Sequence, residues 1–150
     1  MFLYSLLALA VVTALIFAAP LKAKVWATLA VVAAGALWAS ATAVGVLAGG
    51  HTVRLWATDV FLFGSDAGSM DPLSALFALI VSVGAVAAVL YSRGYLAHYL
   101  GRKSPAHISL HYTALATMFY AMLGVVTSEG GFSFLFFWEL MTVASFLLIL

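Results

Sequence analysis

The sequence contains no cysteine, and only 7% of its 150 residues are charged. The absence of cysteine excludes disulfides and thiolate metal sites, and it leaves the redox compartment undetermined. A soluble domain of this size carries about 25% charged residues to keep its surface hydrated, whereas 66% of this sequence is hydrophobic. The formal net charge of +1 offers no basic face for nucleic acid. The lipid bilayer is therefore the expected environment of the protein's surface.

Long apolar runs recur along the chain. A spanning helix needs about 20 mostly apolar residues, because each residue adds about 1.5 Å against about 30 Å of hydrocarbon. The runs are too long, and alternate too little, to be barrel strands. The first run lacks the positive start of a signal peptide and is taken as a span. We predict an all-α polytopic transmembrane helix bundle in one region, with spans at about residues 1–19, 25–49, 71–93, 109–128 and 132–150.

Local signals refine this prediction at two places. Asp71-Pro72 is a good helix start, since an acid suits the cap and proline suits the first turn. Gly45-x-x-x-Gly49 is a close-packing pattern for helices. Residues 50–70 are read as an interfacial loop that contains a short extended or helical piece, and the sequence does not decide between the two.

The positive charges predict an orientation. The loops around residues 20–24 and 92–108 carry five basic residues, and the opposite side carries only Arg54. Short loops rich in lysine and arginine lie on the cytoplasmic side. We therefore predict an N-terminus outside. The five basic residues are Lys22, Lys24, Arg93, Arg102 and Lys103.

Glu139 is the main candidate for chemistry, because it lies inside the last predicted span among apolar and small residues. A charge at that depth costs about 2.5 kcal/mol or more unless it has a partner, water or a proton. Hydrocarbon favours the neutral acid and a nearby cation favours the carboxylate. Such a group suits proton transfer. The alternative is that Glu139 only joins helices through a hydrogen bond.

Weaker candidates lie in the fourth predicted span. Its residues at spacings of four and three form one polar or small face, which indicates a helix-packing seam or a wetted path. His111, near the predicted cytoplasmic end, is a further candidate, for proton entry. His107 and His111 alone give too few ligands for a metal, so we predict no metal, no cofactor and no catalytic centre. The polar face comprises Thr113, Thr117, Tyr120, Gly124 and Thr127.

Four motifs carry a family resemblance: Asp71-Pro72-Leu73-Ser74, Tyr91-Ser92-Arg93-Gly94-Tyr95, His111-Tyr112 and, most tellingly, the run 137–148 that contains Trp138-Glu139. Together they resemble the antiporter-like membrane subunits of respiratory complex I, Mrp-type sodium/proton antiporters and group 4 membrane-bound hydrogenases. The Leu-Met-Thr that follows Glu139 looks closer to the hydrogenase-4 and formate hydrogenlyase branch than to complex I (NADH:quinone oxidoreductase). Residues 1–70 agree only in hydropathy and in the outward N-terminus.

The resemblance implies a fold of about fourteen spans built on inverted repeats, in the cell (inner) membrane of a bacterium or archaeon. It implies that Glu139 pairs with a lysine two helices later and tunes the pKa of that lysine during proton transfer. Because no span here contains lysine, we expect an N-terminal fragment that does not pump alone.

The leading hypothesis is a truncated subunit of a redox-driven complex that moves protons, or sodium and protons, with other membrane subunits and a peripheral redox module as partners. Only as such a subunit would the chain belong to an enzyme, a membrane oxidoreductase. Two alternatives stay open. One is a short membrane scaffold without a transport role, and the other is a small carrier that binds a cation at Glu139.

Overall fold

The computed structural model describes residues 14, 16–17, 20–60, 64–97 and 104–149. The predicted first span, 1–19, therefore lies almost entirely outside the described residues. Within them the chain forms four long helices and one hairpin: α1 Leu21–Gly49, β1 Val53–Val60, β2 Gly64–Met70, α2 Pro72–Ala97, α3 Pro105–Thr127 and α4 Gly131–Ile149.

All four helices are long and apolar enough to cross a membrane. Even α4, which has 19 residues, is about 28 Å long at 1.5 Å per residue. The prediction of a polytopic helical bundle is confirmed. Helix α3 is the most buried of the four, because α1, α2 and α4 all pack against it. Helix α4 is the least buried, since α3 is its main neighbour.

Alanines form the seam between α1 and α2. Ala43 on α1 is buried in one cluster with Ala75 and Ala78 on α2. Small side chains let two helix backbones approach closely where lipid supplies no hydrophobic driving force.

The glycine pattern expected to make such a contact does not do so here. Gly45 is exposed on α1, and a Cβ added to it would meet no atom within 4 Å. Gly49 lies against the ring of His51, just beyond its own helix. The Gly45-x-x-x-Gly49 pattern therefore does not belong to the seam, which the alanines one turn apart form instead.

Strands β1 and β2 form an antiparallel hairpin across one end of the bundle, which decides the open question in favour of extended structure. The strands pair from Val53 with Met70 to Val60 with Gly64, with a register shift between Arg54 and Trp56. Trp56 lies opposite Gly68, and its indole occupies the space that a Cβ would need there. Met70 is only 1% exposed and packs in a small core with alanines of α1 and α2. This side chain anchors the hairpin to the helices.

Two helices begin with side-chain caps. The Asp71 carboxylate accepts a hydrogen bond from the Ser74 backbone N–H at 2.6 Å, as the Asp71-Pro72 start predicts. This bond lowers the pKa of Asp71 below its usual value. At α3, the Ser104 hydroxyl accepts from the His107 N–H at 3.4 Å, and Pro105 occupies the first turn. That helix begins upstream of the span predicted at 109–128.

Two glycine substitutions test the packing. The ring of Phe137 on α4 fills the space beside Gly124 on α3, so we expect Gly124→Ala to destabilise the protein by about 1–3 kcal/mol through overpacking. Gly45→Ala is the matched control, because its new methyl group meets nothing. We expect it to be neutral or to stabilise the helix by up to about 1 kcal/mol. Thermal unfolding of the purified variants in one detergent measures both. Equal midpoints for the two variants would contradict this packing.

Candidate functional site

Glu139 lies at mid-length on α4, eight residues after Gly131 and thus about 12 Å along the helix. Its side chain is exposed, on the same face as Leu135, Thr142 and Val143. Within the described ranges no side chain forms a hydrogen bond or ion pair with its carboxylate. Glu139 therefore lies midway along an apolar helix, and this part of the chain does not enclose the group.

The opposite face of α4 packs on α3. Ser133 and Ala144 are buried there, and the Phe137 ring lies against Gly124. At about 100° per residue, Ala144 projects about 140° away from Glu139 around the helix. This packing fixes the direction in which Glu139 points, which is away from α3 and from its polar face.

The polar face of α3 instead lines an apolar cavity. This cavity, of about 310 Å³, opens between α1 and α4 beneath the hairpin. Glu139 is not among the residues around it. The lining includes Tyr120, Gly124 and Thr127 from α3, Gly35 and Trp38 from α1, Phe137 from α4 and Trp56 from β1. The structure thus brings three of the five polar-face residues, Tyr120, Gly124 and Thr127, to one cavity, whereas Glu139 lies on another surface.

Tyr120 joins two helices. Its hydroxyl donates to the backbone carbonyl of Val31 on α1 at 2.8 Å. Gly35 makes room for this contact, because a Cβ there would lie 2.6 Å from the Tyr120 oxygen. A carbonyl left with an unused lone pair gains a partner in a region where water is scarce. The Tyr120 hydroxyl is therefore engaged in helix packing.

The three threonines of the same face have different surroundings. Thr127 donates to the Leu123 carbonyl one turn earlier, at 2.8 Å. The Thr113 hydroxyl is buried without a hydrogen-bond partner among the described residues. Thr117 is half-buried. None of these observations links the threonines to Glu139.

His111 lies at the other end of the bundle from the hairpin. It is half-buried and stacks on Tyr95 of α2, with ring centroids 6.3 Å apart. Thirteen residues separate it from Gly124, so its depth differs from that of Phe137 by about 20 Å. His111 and Glu139 are therefore not neighbours. In the described part of the chain, no three His, Asp or Glu side chains converge to hold a metal ion.

Basic residues gather at the same end as His111. Lys24 is buried, and its ammonium group donates to the carbonyls of Ile16 at 2.9 Å and Phe17 at 2.7 Å. Arg93 lies over the ring of Trp26, 5.4 Å from its centroid. The hairpin lies at the opposite end, where Asp59, Asp66, Asp71 and Glu129 are found. This separation agrees with the charge asymmetry used above, and the direction relative to the cell stays a prediction.

The sequence interpretation missed one long-range contact at the hairpin end. Asp66, in β2, is only 5% exposed. Its carboxylate accepts from the Ser133 backbone N–H at 2.9 Å and from the Ser133 hydroxyl at 3.0 Å. Both bonds lie in the first turn of α4, the helix that carries Glu139. The available signal was the Gly130-Gly131 start of that helix, which has no side chain that could cap it.

A polar pocket of about 500 Å³ surrounds this contact. Its charged lining residues are Arg54 and Asp59 from β1, Asp66 from β2 and Glu129 from the turn between α3 and α4. Glu129 also donates its backbone N–H to the Ala67 carbonyl at 2.9 Å. The hairpin is therefore tied to the α3–α4 turn by backbone as well as side-chain bonds.

Comparison with known proteins finds partial similarity to antiporter subunits. Over 80 residues the chain is 36% identical to the "Putative antiporter subunit mnhA2" of Staphylococcus saprophyticus, and it is equally identical to the protein of that name in Staphylococcus aureus strain JH9. This chain is similar to an antiporter subunit. The match covers 53% of the chain and only 9% of the length of each relative.

The similarity supports an antiporter-like family, and together with the four apolar helices it supports a multi-pass membrane protein. No family model matches the chain.

A tyrosine pair tests the role assigned to Tyr120. Tyr120→Phe removes the bond to the Val31 carbonyl, so we expect a loss of about 0.5–1.5 kcal/mol in the free energy of unfolding. Tyr91→Phe is the control, because Tyr91 is 76% exposed on α2 and should change stability little. Unfolding of the detergent-solubilised variants measures the difference. If the two variants were equally stable, the Tyr120 bond would not hold α1 to α3.

Proposed function

We propose that this chain works within an antiporter-like membrane subunit and contributes Glu139 to a path for protons, or for protons exchanged with sodium. The observation that carries the proposal is the position of Glu139: an acid at mid-length of a spanning helix, on an otherwise largely apolar exposed face. The similarity to a staphylococcal antiporter subunit supports the class of function.

The cost of charge in lipid makes this position informative. A carboxylate that faced hydrocarbon at this depth would cost about 2.5 kcal/mol or more. The group must therefore hold a proton, or another element must cover it and supply a cation or water. In our proposal the exposed face of α4 packs against further membrane helices, of the same subunit or of a partner.

A covered Glu139 can exchange protons. When a cationic side chain lies close, the ionised carboxylate is favoured, and when that cation moves away or loses its charge, the neutral acid is favoured. Proton transfer between the two groups then follows from small changes in their separation. This chain supplies the acid, and we propose that the cation comes from outside the described residues.

The choice of complex rests on weaker observations. Leu140-Met141-Thr142 resembles the hydrogenase-4 and formate hydrogenlyase branch, and this resemblance favours a redox-driven complex with a peripheral redox module. The similarity to a staphylococcal antiporter subunit favours an ion exchanger instead. We propose the antiporter-like core as the shared element, in a bacterial or archaeal cell membrane with the N-terminus outside.

A scaffold role is the second candidate, and one set of contacts favours it. Tyr120 and Gly124, two members of the polar face on α3, take part in helix packing. If Glu139 likewise only bonds to a neighbouring helix, the chain would complete an assembly without moving ions. The two functions differ in what a neutral isostere at position 139 does to transport.

Glu139→Gln tests the proposal. The amide keeps the size and a hydrogen bond but cannot exchange a proton, so we expect transport to fall to background while the protein still accumulates in the membrane. Glu129→Gln, the same change in the exposed turn before α4, should leave transport unchanged. Transport by both variants is measured as the pH change that an imposed ion gradient drives in membrane vesicles containing the native complex. Normal transport by Glu139→Gln would leave the scaffold as the better account.

A further inference from the structure

Helix α4 begins in an unusual way for a spanning helix. Its first backbone bond runs from the Phe134 N–H to the Gly130 carbonyl at 3.1 Å, so Gly130 occupies the cap position. Glycine has no side chain to accept a hydrogen bond from the free N–H groups of the first turn. Gly131 follows and adds none either. The start of α4 therefore depends on groups from elsewhere in the protein.

Asp66 supplies the missing cap from the hairpin. One carboxylate oxygen accepts from the Ser133 N–H at 2.9 Å, and the other accepts from the Ser133 hydroxyl at 3.0 Å. The second oxygen also accepts from the Ala67 N–H at 2.9 Å, which orients the carboxylate. A negative group at this position also interacts favourably with the helix dipole.

The contact is close enough to fix the backbone. A Cβ added to Gly130 would collide with the Asp66 carboxylate, so only glycine lets the turn approach this near. The Glu129 N–H bonds to the Ala67 carbonyl, and Ser128 pairs with Gly68 in an isolated β-bridge. Strand β2 thus holds the chain on both sides of the α4 start.

Beyond the cap, α4 is held mainly by α3. Apart from the short turn, it packs on α3 along one face, through residues such as Phe137 and Ala144. Rotation about the helix axis or sliding along it would move Glu139 relative to whatever lies beside it. The cap at Ser133 acts six residues, or about 9 Å, before Glu139 on the same rigid helix.

We infer that Asp66 is a positioning residue for Glu139: its carboxylate caps α4 from the hairpin and so sets the depth and rotation at which the helix presents that acid. The inference rests on the proposed function for its consequence in transport. The positioning itself does not depend on transport and can be measured separately. The same contact couples the polar pocket at the hairpin end to the middle of the membrane.

Chemical modification of Glu139 tests the inference. A hydrophobic carbodiimide modifies protonated carboxyl groups in apolar surroundings, and mass spectrometry of the peptide that contains Glu139 gives the rate at each pH. The intact complex in native membranes is used. Loss of the cap in Asp66→Ala should change this rate by about fivefold, the factor by which a typical helix cap changes an equilibrium constant. Asp66→Asn should restore most of the wild-type rate, because its amide oxygen still accepts from the Ser133 N–H.

Two controls separate positioning from a general effect. Asp59→Ala removes an exposed acid from the same pocket and should leave the rate unchanged. Gly130→Ala pushes the Asp66 carboxylate away, whereas Gly131→Ala meets no atom within 4 Å. We expect the first glycine variant to alter Glu139 modification and the second to leave it as in the wild type. This glycine pair carries the test if Asp66→Ala does not reach the membrane.

The outcomes are distinct from those of the proposed function. Altered modification in Asp66→Ala and Gly130→Ala, with wild-type rates in Asp59→Ala and Gly131→Ala, supports positioning even if Glu139→Gln still transports. Wild-type rates and an unchanged pH profile of modification in both Asp66→Ala and Gly130→Ala would overturn the inference. In a complex that transports, the pH profile of transport should shift together with the modification profile.

Discussion

The hydrocarbon layer is the constraint on which the rest of this structure depends. It offers no water, so backbone N–H and C=O groups must form their hydrogen bonds within helices. The free N–H groups at the start of each helix need acceptors from elsewhere. Each described helix start after the hairpin meets this need in its own way. Asp71, the residue just before α2, caps that helix, and Ser104 and Pro105 begin α3. Asp66 caps α4 from a distant strand. The same lack of water makes an uncovered Glu139 costly as an ion.

The hairpin links these requirements to the candidate site. Strand β2 of the hairpin contacts α1, α2, α3 and α4. The polar pocket beside the hairpin includes Asp66, the acid that caps α4. Farther into the membrane, Phe137 against Gly124 fixes the same helix. Glu139 lies just beyond both contacts. The direction in which it points therefore follows from packing near the hairpin end of the bundle.

Sequence reasoning predicted what depends on local composition. Hydropathy predicted the four described apolar helices, and the Asp71-Pro72 pair predicted the start of α2, because both signals lie in neighbouring residues. The hairpin was left undecided, since 50–70 mixes apolar and polar residues without a clear period.

Contacts between residues far apart in the sequence could not be predicted, because they produce no pattern among neighbouring residues. Asp66 and Ser133 are 67 residues apart, and Tyr120 and Val31 are 89 apart. The Gly45 pattern failed for the same reason, because a small residue shows that close packing is allowed and not where a neighbour lies. Hydropathy alone predicts a depth for Glu139, whereas its direction around α4 depends on these distant contacts.

The central claim is that the Glu139 face of α4 is covered in the working complex. Val143, one turn after Glu139, is 52% exposed in this chain, and Val83 on α2 is 71% exposed. Val143 and Val83 lie about 18 Å and 17 Å from the hairpin ends of their helices, so their depths are matched. These 150 residues contain no cysteine, so a cysteine introduced at either position is the single labelling site in this part of the protein.

The measurement is the accessibility of each label to oxygen dissolved in the bilayer, in the intact complex. The account predicts low accessibility at position 143 and high accessibility at position 83. Equal, high accessibility at both positions would place Glu139 against lipid and contradict the claim.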